Sequence, residues 1–256
     1  MTTVPRDPPE PPQRGMGSAG GMGGAGGAGG PEDESAPRPG PRRPAVAVID
    51  DDTVIREGLA LLLPDVDVLL TARHLGEFEA LVPRAGPVDV VLVDLSLTGL
   101  EADGVPQGRR AVRRLREQGW RCLIYTGERR LLVLAGCLAE GARGIVHKTE
   151  STRALRDAIG KVADGGFVLS PAVTGLADAV SQIGRLPTLT ERQQQVLSGR
   201  ARGEPFREIA ERLYITRKTA EEHMSTVAAK FADYLRTHSP ADLERELGLA
   251  PGDLMR

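Results

Sequence analysis

The chain has 256 residues, 40 % of them hydrophobic and 27 % charged, with a formal net charge of −2. That length suits one or two domains, the apolar share supports a folded core, and the charge balance excludes a polybasic protein that coats nucleic acid by charge alone. Two cysteines cannot build a disulfide framework or a cysteine-rich zinc site, and the longest apolar run, Leu131–Ala139, falls far short of the roughly 18–20 residues of a membrane helix.

Residues 1–44 hold 10 Pro and 11 Gly and little branched apolar surface, which predicts a disordered tail that folding does not need. Its GMGGAGGAGG run has no strand before it and no helix after it, so it does not read as a phosphate-cradling loop. Ala45–Asp50 (AVAVID) reads as a buried strand. Thr53–Leu63 reads as a helix with Val54, Leu59, Leu62 and Leu63 on one face. Val66–Thr71 is a second strand and Leu75–Val82 a short helix. Val88–Asp94 is a third strand, its apolar residues more continuous than alternating, as in a strand covered on both faces. A basic-faced helix over Gly108–Gln118 follows. Then come strand Arg121–Thr126, helix Arg130–Gly141, strand Arg143–His147 and helix Ser151–Asp164. Five β–α alternations predict a doubly wound, five-stranded parallel sheet with helices on both faces. We take 166–187 as a linker, with a helix near Thr174–Gln182.

Residues 188–256 read as all helical. Thr190 with Gln193 predicts a capping box for a helix ending at Gly203; Pro205–Leu213 forms a second. Thr216 caps a third over Arg217–Leu235, and Ser239, Pro240 and Asp242 open a fourth.

In a parallel sheet the carboxyl ends of the strands share one edge, where ligands bind. Asp50, Asp51 and Asp52 end the first strand, Asp94 the third, Thr126 the fourth, and Lys148 follows the fifth. Carboxylates from two neighbouring strands suit a hard divalent cation such as Mg²⁺. A carboxylate beside it can attack phosphorus, and a hydroxyl and an ammonium can hold phosphoryl oxygens. Taken singly, an Asp after a strand is a turn former or helix cap; the joint arrangement carries the reading.

The segments VIDDDTVIREGLALLL, VDVVLVDL, LIYTG and GARGIVHK, in that order, resemble the receiver domain of bacterial response regulators over about residues 45–165. The resemblance implies a flavodoxin-like fold, Mg²⁺ held by Asp50, Asp51 and Asp94, Asp94 as phosphoacceptor, Thr126 as the switch hydroxyl and Lys148 as the partner of the phosphate. Leu97-Thr98 replaces the family's Met-Pro pair, the loop Gly99–Gln107 is longer than usual, and Ile145 stands where the switch aromatic belongs. Thr126 therefore has no ring to draw inward. The run Asp50-Asp51-Asp52-Thr53-Val54 also fits the first motif of haloacid-dehalogenase-type phosphatases, with Asp50 as nucleophile and Asp52 as acid/base. That family needs a later acidic motif at a strand end, and GFVLS at 166–170 carries no acid.

LTERQQQVL, EIAERLYIT and KTAEEH, with Lys230-Phe231 behind them, resemble the LuxR-type helix-turn-helix of NarL/FixJ-type response regulators, whose third helix enters the major groove. Ala220 replaces the usual Val, and Glu222 stands where a basic or neutral residue is common. Residues 188–239 carry nine Arg and Lys against seven Asp and Glu, so phosphate contacts must come from a few placed residues. Candidates are Arg192, Arg207, Arg217, Lys218 and Lys230; Thr216 reads as a helix cap first and a DNA-binding residue second. A 100° step places Lys218, Glu222, Ser225 and Ala229 opposite the core side of the third helix, with Glu221 on its flank. The expected protein is a cytoplasmic regulator rather than an enzyme. A sensor histidine kinase is its partner, DNA its target and a homodimer its form on DNA, with no membrane contact. A regulator that works without phosphorylation is the alternative.

Overall fold

The structure is a computed structural model that describes residues 42–97, 107–186, 189–250 and 252. Nearly all of the expected tail, the 98–106 stretch with Thr98, and residues 187–188 at the junction of the expected linker and output domain lie outside the described residues. Five strands form one parallel sheet: β1 (Ala45–Ile49), β2 (Asp67–Ala72), β3 (Val90–Val93), β4 (Cys122–Thr126) and β5 (Gly144–His147), in the order β2-β1-β3-β4-β5. The helices between them are α1 (Thr53–Leu62), α2 (Leu75–Leu81), α3 (Gln107–Glu117), α4 (Leu131–Glu140) and α5 (Thr152–Ala163). The strands β1 and β3 are buried along their whole length, which is why their sequences run apolar without alternating.

The α1 face differs from expectation. Leu59 and Leu63 are buried, but Val54 is 76 % and Leu62 56 % exposed. Leu59 and Leu63 lie one turn apart and pack with Val46, Val48 and Leu92 of the sheet, while Val54 and Leu62 fall on the next stripe round the helix and face outward.

The chain after α5 turns back along the open edge of β5. Val168 forms a parallel bridge with Gly144, the Val168 N–H donates to Arg143 O, and the Ile145 N–H donates to Val168 O. Gly144 is required there, since a Cβ would meet Val168 O at 2.8 Å. The linker helix α6 (Pro171–Gln182) begins three residues before the expected start, with Ser170 as its N-cap. Helices α7 (Glu191–Ala201), α8 (Phe206–Leu213), α9 (Arg217–Thr237) and α10 (Pro240–Glu246) complete the fold. The capping boxes at Thr190/Gln193 and Ser239/Asp242 are both formed.

Two buried clusters divide the core. One lies between the sheet and α1 and α5. The other starts on the opposite sheet face, runs through Leu132, Leu134, Ala135 and Leu138 of α4, and continues into Val173, Val196, Val227 and Phe231 of the C-terminal helices. The helical section thus packs on α4 of the sheet domain. No described helix is long and apolar enough to cross a membrane.

Candidate functional site

The strand ends converge as the topology requires. Asp50 is 1 % exposed, Asp94 4 % and Thr126 0 %. Parallel register fixes them: the Asp50 N–H donates to Ala72 O, the Asp94 N–H to Ile49 O and the Lys148 N–H to Thr126 O. Lys148 Nζ lies 2.9 Å from Asp50 Oδ2 and 3.0 Å from Asp94 Oδ2. The second oxygen of each carboxylate accepts a backbone N–H, from Asp52 at 2.9 Å for Asp50 and from Leu95 at 2.7 Å for Asp94. Both groups are therefore aimed and cannot rotate freely.

Burial raises the carboxyl pKa of Asp50, and the Lys148 hydrogen bond only partly offsets it. Burial works against charge on Lys148 as well, but bonds to Asp50 and Asp94 overcome it and raise its pKa. Asp50, Asp51 and Asp94 each present an oxygen within 4.8 Å of the others. Three hard oxygen donors this close together fit a divalent cation. Asp52 does not join them: it caps α1 by accepting from the Val54 N–H, so the acid/base group of the phosphatase reading points elsewhere.

Thr126 Oγ1 accepts from the Glu128 N–H at 3.2 Å. Glu128 in turn accepts from the Arg129 and Arg130 N–H groups, both at 2.8 Å, and from the Arg130 guanidinium, which hold its carboxyl down at about 2. This carboxylate fixes the loop just before α4, whose N-cap residue Arg130 makes no side-chain cap bond. His147 Nε2 bonds Gly127 O at 3.0 Å, tying the same loop to β5. Ile145 is buried in the core, as its sequence position required.

At the other candidate surface, α8 and α9 form a helix-turn-helix whose turn residue, Tyr214, takes a left-handed conformation (φ 53°). Thr216 caps α9 through the Thr219 N–H. Ala220, Met224, Val227 and Phe231 face the domain core. Arg192, Arg207, Arg217 and Lys218 are exposed, Arg217 paired with Glu221 at 2.7 Å and Arg207 with Glu211 at 3.4 Å. Lys230 turns inward and donates to Gln193 Oε1 at 3.0 Å, within the α7 capping box.

The outward face of α9 lies against the sheet domain. Ser225 Oγ accepts the Phe167 N–H at 2.9 Å, Lys161 Nζ lies 3.8 Å from Glu221, and the same ammonium sits 5.4 Å from the Phe206 ring centre. Burial pulls the Lys161 pKa down, with Glu221 opposing. Neither Lys161 nor Phe167 is recognisable from sequence as a contact residue, because their partners lie about 60 positions away.

A family model described as response regulator receiver domain matches residues 46–160, and one described as bacterial regulatory proteins, luxR family, matches 187–243. The chain is 30 % identical over 210 residues to the transcriptional regulatory protein LnrK of Bacillus subtilis, covering 76 % of this chain and 93 % of LnrK. It is 32 % identical over 187 residues to the response regulator RamR of Streptomyces coelicolor, covering 72 % and 88 %. It is also 29 % identical over 217 residues to the DNA-binding transcriptional activator DevR/DosR of Mycobacterium tuberculosis, covering 81 % and 98 %.

Proposed function

This chain belongs to the response regulators that join a receiver domain to a LuxR-type DNA-binding domain, and on that premise we propose that Asp94 accepts a phosphoryl group and that its arrival releases α9 for DNA. The observation that carries this reading is the Lys148 ammonium bridging Asp50 and Asp94 at the carboxyl edge of the sheet. The working division is a receiver at 45–165, a linker at 166–187 and an output domain at 188–256.

The Asp94 carboxylate is the nucleophile, held by the Leu95 N–H on one side and Lys148 on the other. Lys148 pairs with the phosphoryl oxygens once they arrive. Thr126, whose oxygen already accepts from Glu128, keeps its own proton to donate to the phosphoryl group. Asp50, Asp51 and Asp94 would hold Mg²⁺, which supplies charge neutralisation for phosphoryl transfer. The donor is the phosphorylated histidine of a sensor histidine kinase, whose P–N bond breaks as the Asp94 O–P bond forms and whose imidazole is the leaving group, and the setting is the cytoplasm.

Moving Thr126 toward the phosphoryl group breaks its bond to the Glu128 N–H and frees the loop that leads into α4. Because α4 packs against α9, the change reaches the output domain. The face of α9 now covered by Lys161 and Phe167 then becomes available to the major groove. Arg192, Arg207, Thr216, Arg217 and Lys218 contact phosphates there, Glu221, Glu222 and Ser225 face base edges, and two copies bind as a homodimer. Lys230 serves this surface through the α7 cap rather than by direct contact.

The test is incubation with a small phosphodonor and Mg²⁺, followed by intact mass. The wild type gains one hydroxylamine-labile phosphoryl group and Asp94→Asn gains none, while DNA affinity rises only where phosphate is gained. Label that persists in Asp94→Asn would overturn the assignment.

A further inference from the structure

The outward face of α9 carries two adjacent carboxylates in different surroundings. Glu221 is half-buried and paired, 2.7 Å from Arg217 and 3.8 Å from Lys161. Glu222 is exposed, and among the described residues no cation lies within ion-pair distance of it. Lys218, one turn back at the spacing where a helical pair forms, does not close on it. Its neighbours Ser225, Thr226 and Ala229 are short, and with Gly165 and Phe167 they line a shallow cavity of about 400 Å³. The Thr226 hydroxyl is turned back to donate to the Glu222 carbonyl oxygen at 3.0 Å. Once the receiver leaves, Glu222 stands beside a floor of short side chains.

We infer that Glu222 is a specificity-determining residue that selects cytosine at one base pair of the recognised site; this rests on the DNA-binding reading above. A carboxylate only accepts hydrogen bonds. In the major groove cytosine presents an amino donor, whereas guanine and thymine present acceptors that repel it, and adenine pairs its donor with an acceptor. The same negative charge is repelled by every phosphate nearby, so it lowers affinity for all sequences and leaves the preferred base pair relatively favoured.

Two substitutions separate these effects. Glu222→Ala removes the acceptor and the charge, so binding to random DNA rises and the preference at that base pair flattens by about 5- to 150-fold. Glu222→Gln also removes the charge but adds a donor beside the acceptor, which matches adenine, so the preferred base moves from cytosine to adenine. The position is exposed, and circular dichroism checks that both variants fold. The experiment selects binding sites from a random pool with the full-length wild type and both variants, with and without phosphodonor, at one salt concentration. A wild-type cytosine that Glu222→Ala loses and Glu222→Gln converts to adenine supports the inference. The same motif with the same information content from all three overturns it and leaves the DNA-binding reading intact. No motif from the wild type overturns that reading, and the inference with it.

Discussion

Lys148 and Lys161 both neutralise carboxylates, but in different mechanical settings. Lys148 stands at 2.9 and 3.0 Å from two acids carried by the same sheet, with all three backbones locked in register. Lys161 stands 3.8 Å from Glu221 and against Phe206, on elements that belong to the output domain while it belongs to the receiver. The first grouping changes only when something enters the pocket. The second is undone when one body moves away from the other. Chemistry is placed where the scaffold is rigid, and regulation where two surfaces can part.

Lys148→Ala gives the largest expected effect. It leaves Asp50 and Asp94 buried and mutually repelling, a cost on the order of 3 kcal/mol that a melting curve reads directly. Added Mg²⁺ recovers part of the loss, because it binds only the folded pocket. An unchanged melting temperature would show that the pocket relaxes and that the contrast with Lys161 is false.

Lys161→Ala is expected to do the reverse: little change in melting temperature, and a rise in DNA affinity of the unphosphorylated protein of about fivefold, on the order of 1 kcal/mol, toward that of the phosphorylated form. Mobility-shift titrations without phosphodonor measure it, and an affinity equal to that of the wild type would mean that the contact is incidental.

Asp50→Asn sharpens the pocket side. A carboxyl whose folded pKa is raised above the unfolded value of 3.8 weakens the fold as it ionises, so this contribution to stability is lost as pH rises through that window. The variant should therefore match the wild type at low pH and melt at a higher temperature at neutral pH. A gap that narrows as pH rises contradicts the burial argument.

Glu128→Gln probes the connection between the two regions, with the smallest effect. Phosphate uptake stays the same, since Glu128 lies outside the pocket, while the phosphorylation-dependent gain in DNA affinity falls by about twofold and stability by up to about 1 kcal/mol. Because its carboxyl is held low, the stability difference is present at neutral pH and is lost on acidification from its ordinary value of 4.5 toward about 2. Unchanged coupling would exclude α4 as the route.

The pocket was legible in the sequence because topology does the work. Once the β–α alternation is read, Asp50, Asp94, Thr126 and Lys148 must meet at one edge. Caps were legible for a similar reason, since Thr190, Thr216 and Ser239 act within three residues of themselves. The α6 start was missed although Ser170-Pro171 repeats the Ser239-Pro240 signal that was read correctly. The outward turn of Val54 and Leu62 was not readable, because apolar spacing alone leaves the exact stripe facing the sheet undetermined. Nor was the covering of α9, which depends on the angle at which two domains meet rather than on either pattern.

The strap at 166–168 bears on how the protein tolerates being opened. Its bonds on one side go to β5, through Val168, and on the other to α9, through the Phe167 N–H. Departure of α9 releases only the second set, leaving one amide to water, while the β5 edge stays covered. An exposed strand edge is a template for pairing with other chains. On the reading proposed above, activation would bare α9 without baring that edge, so opening would add no aggregation hazard at β5.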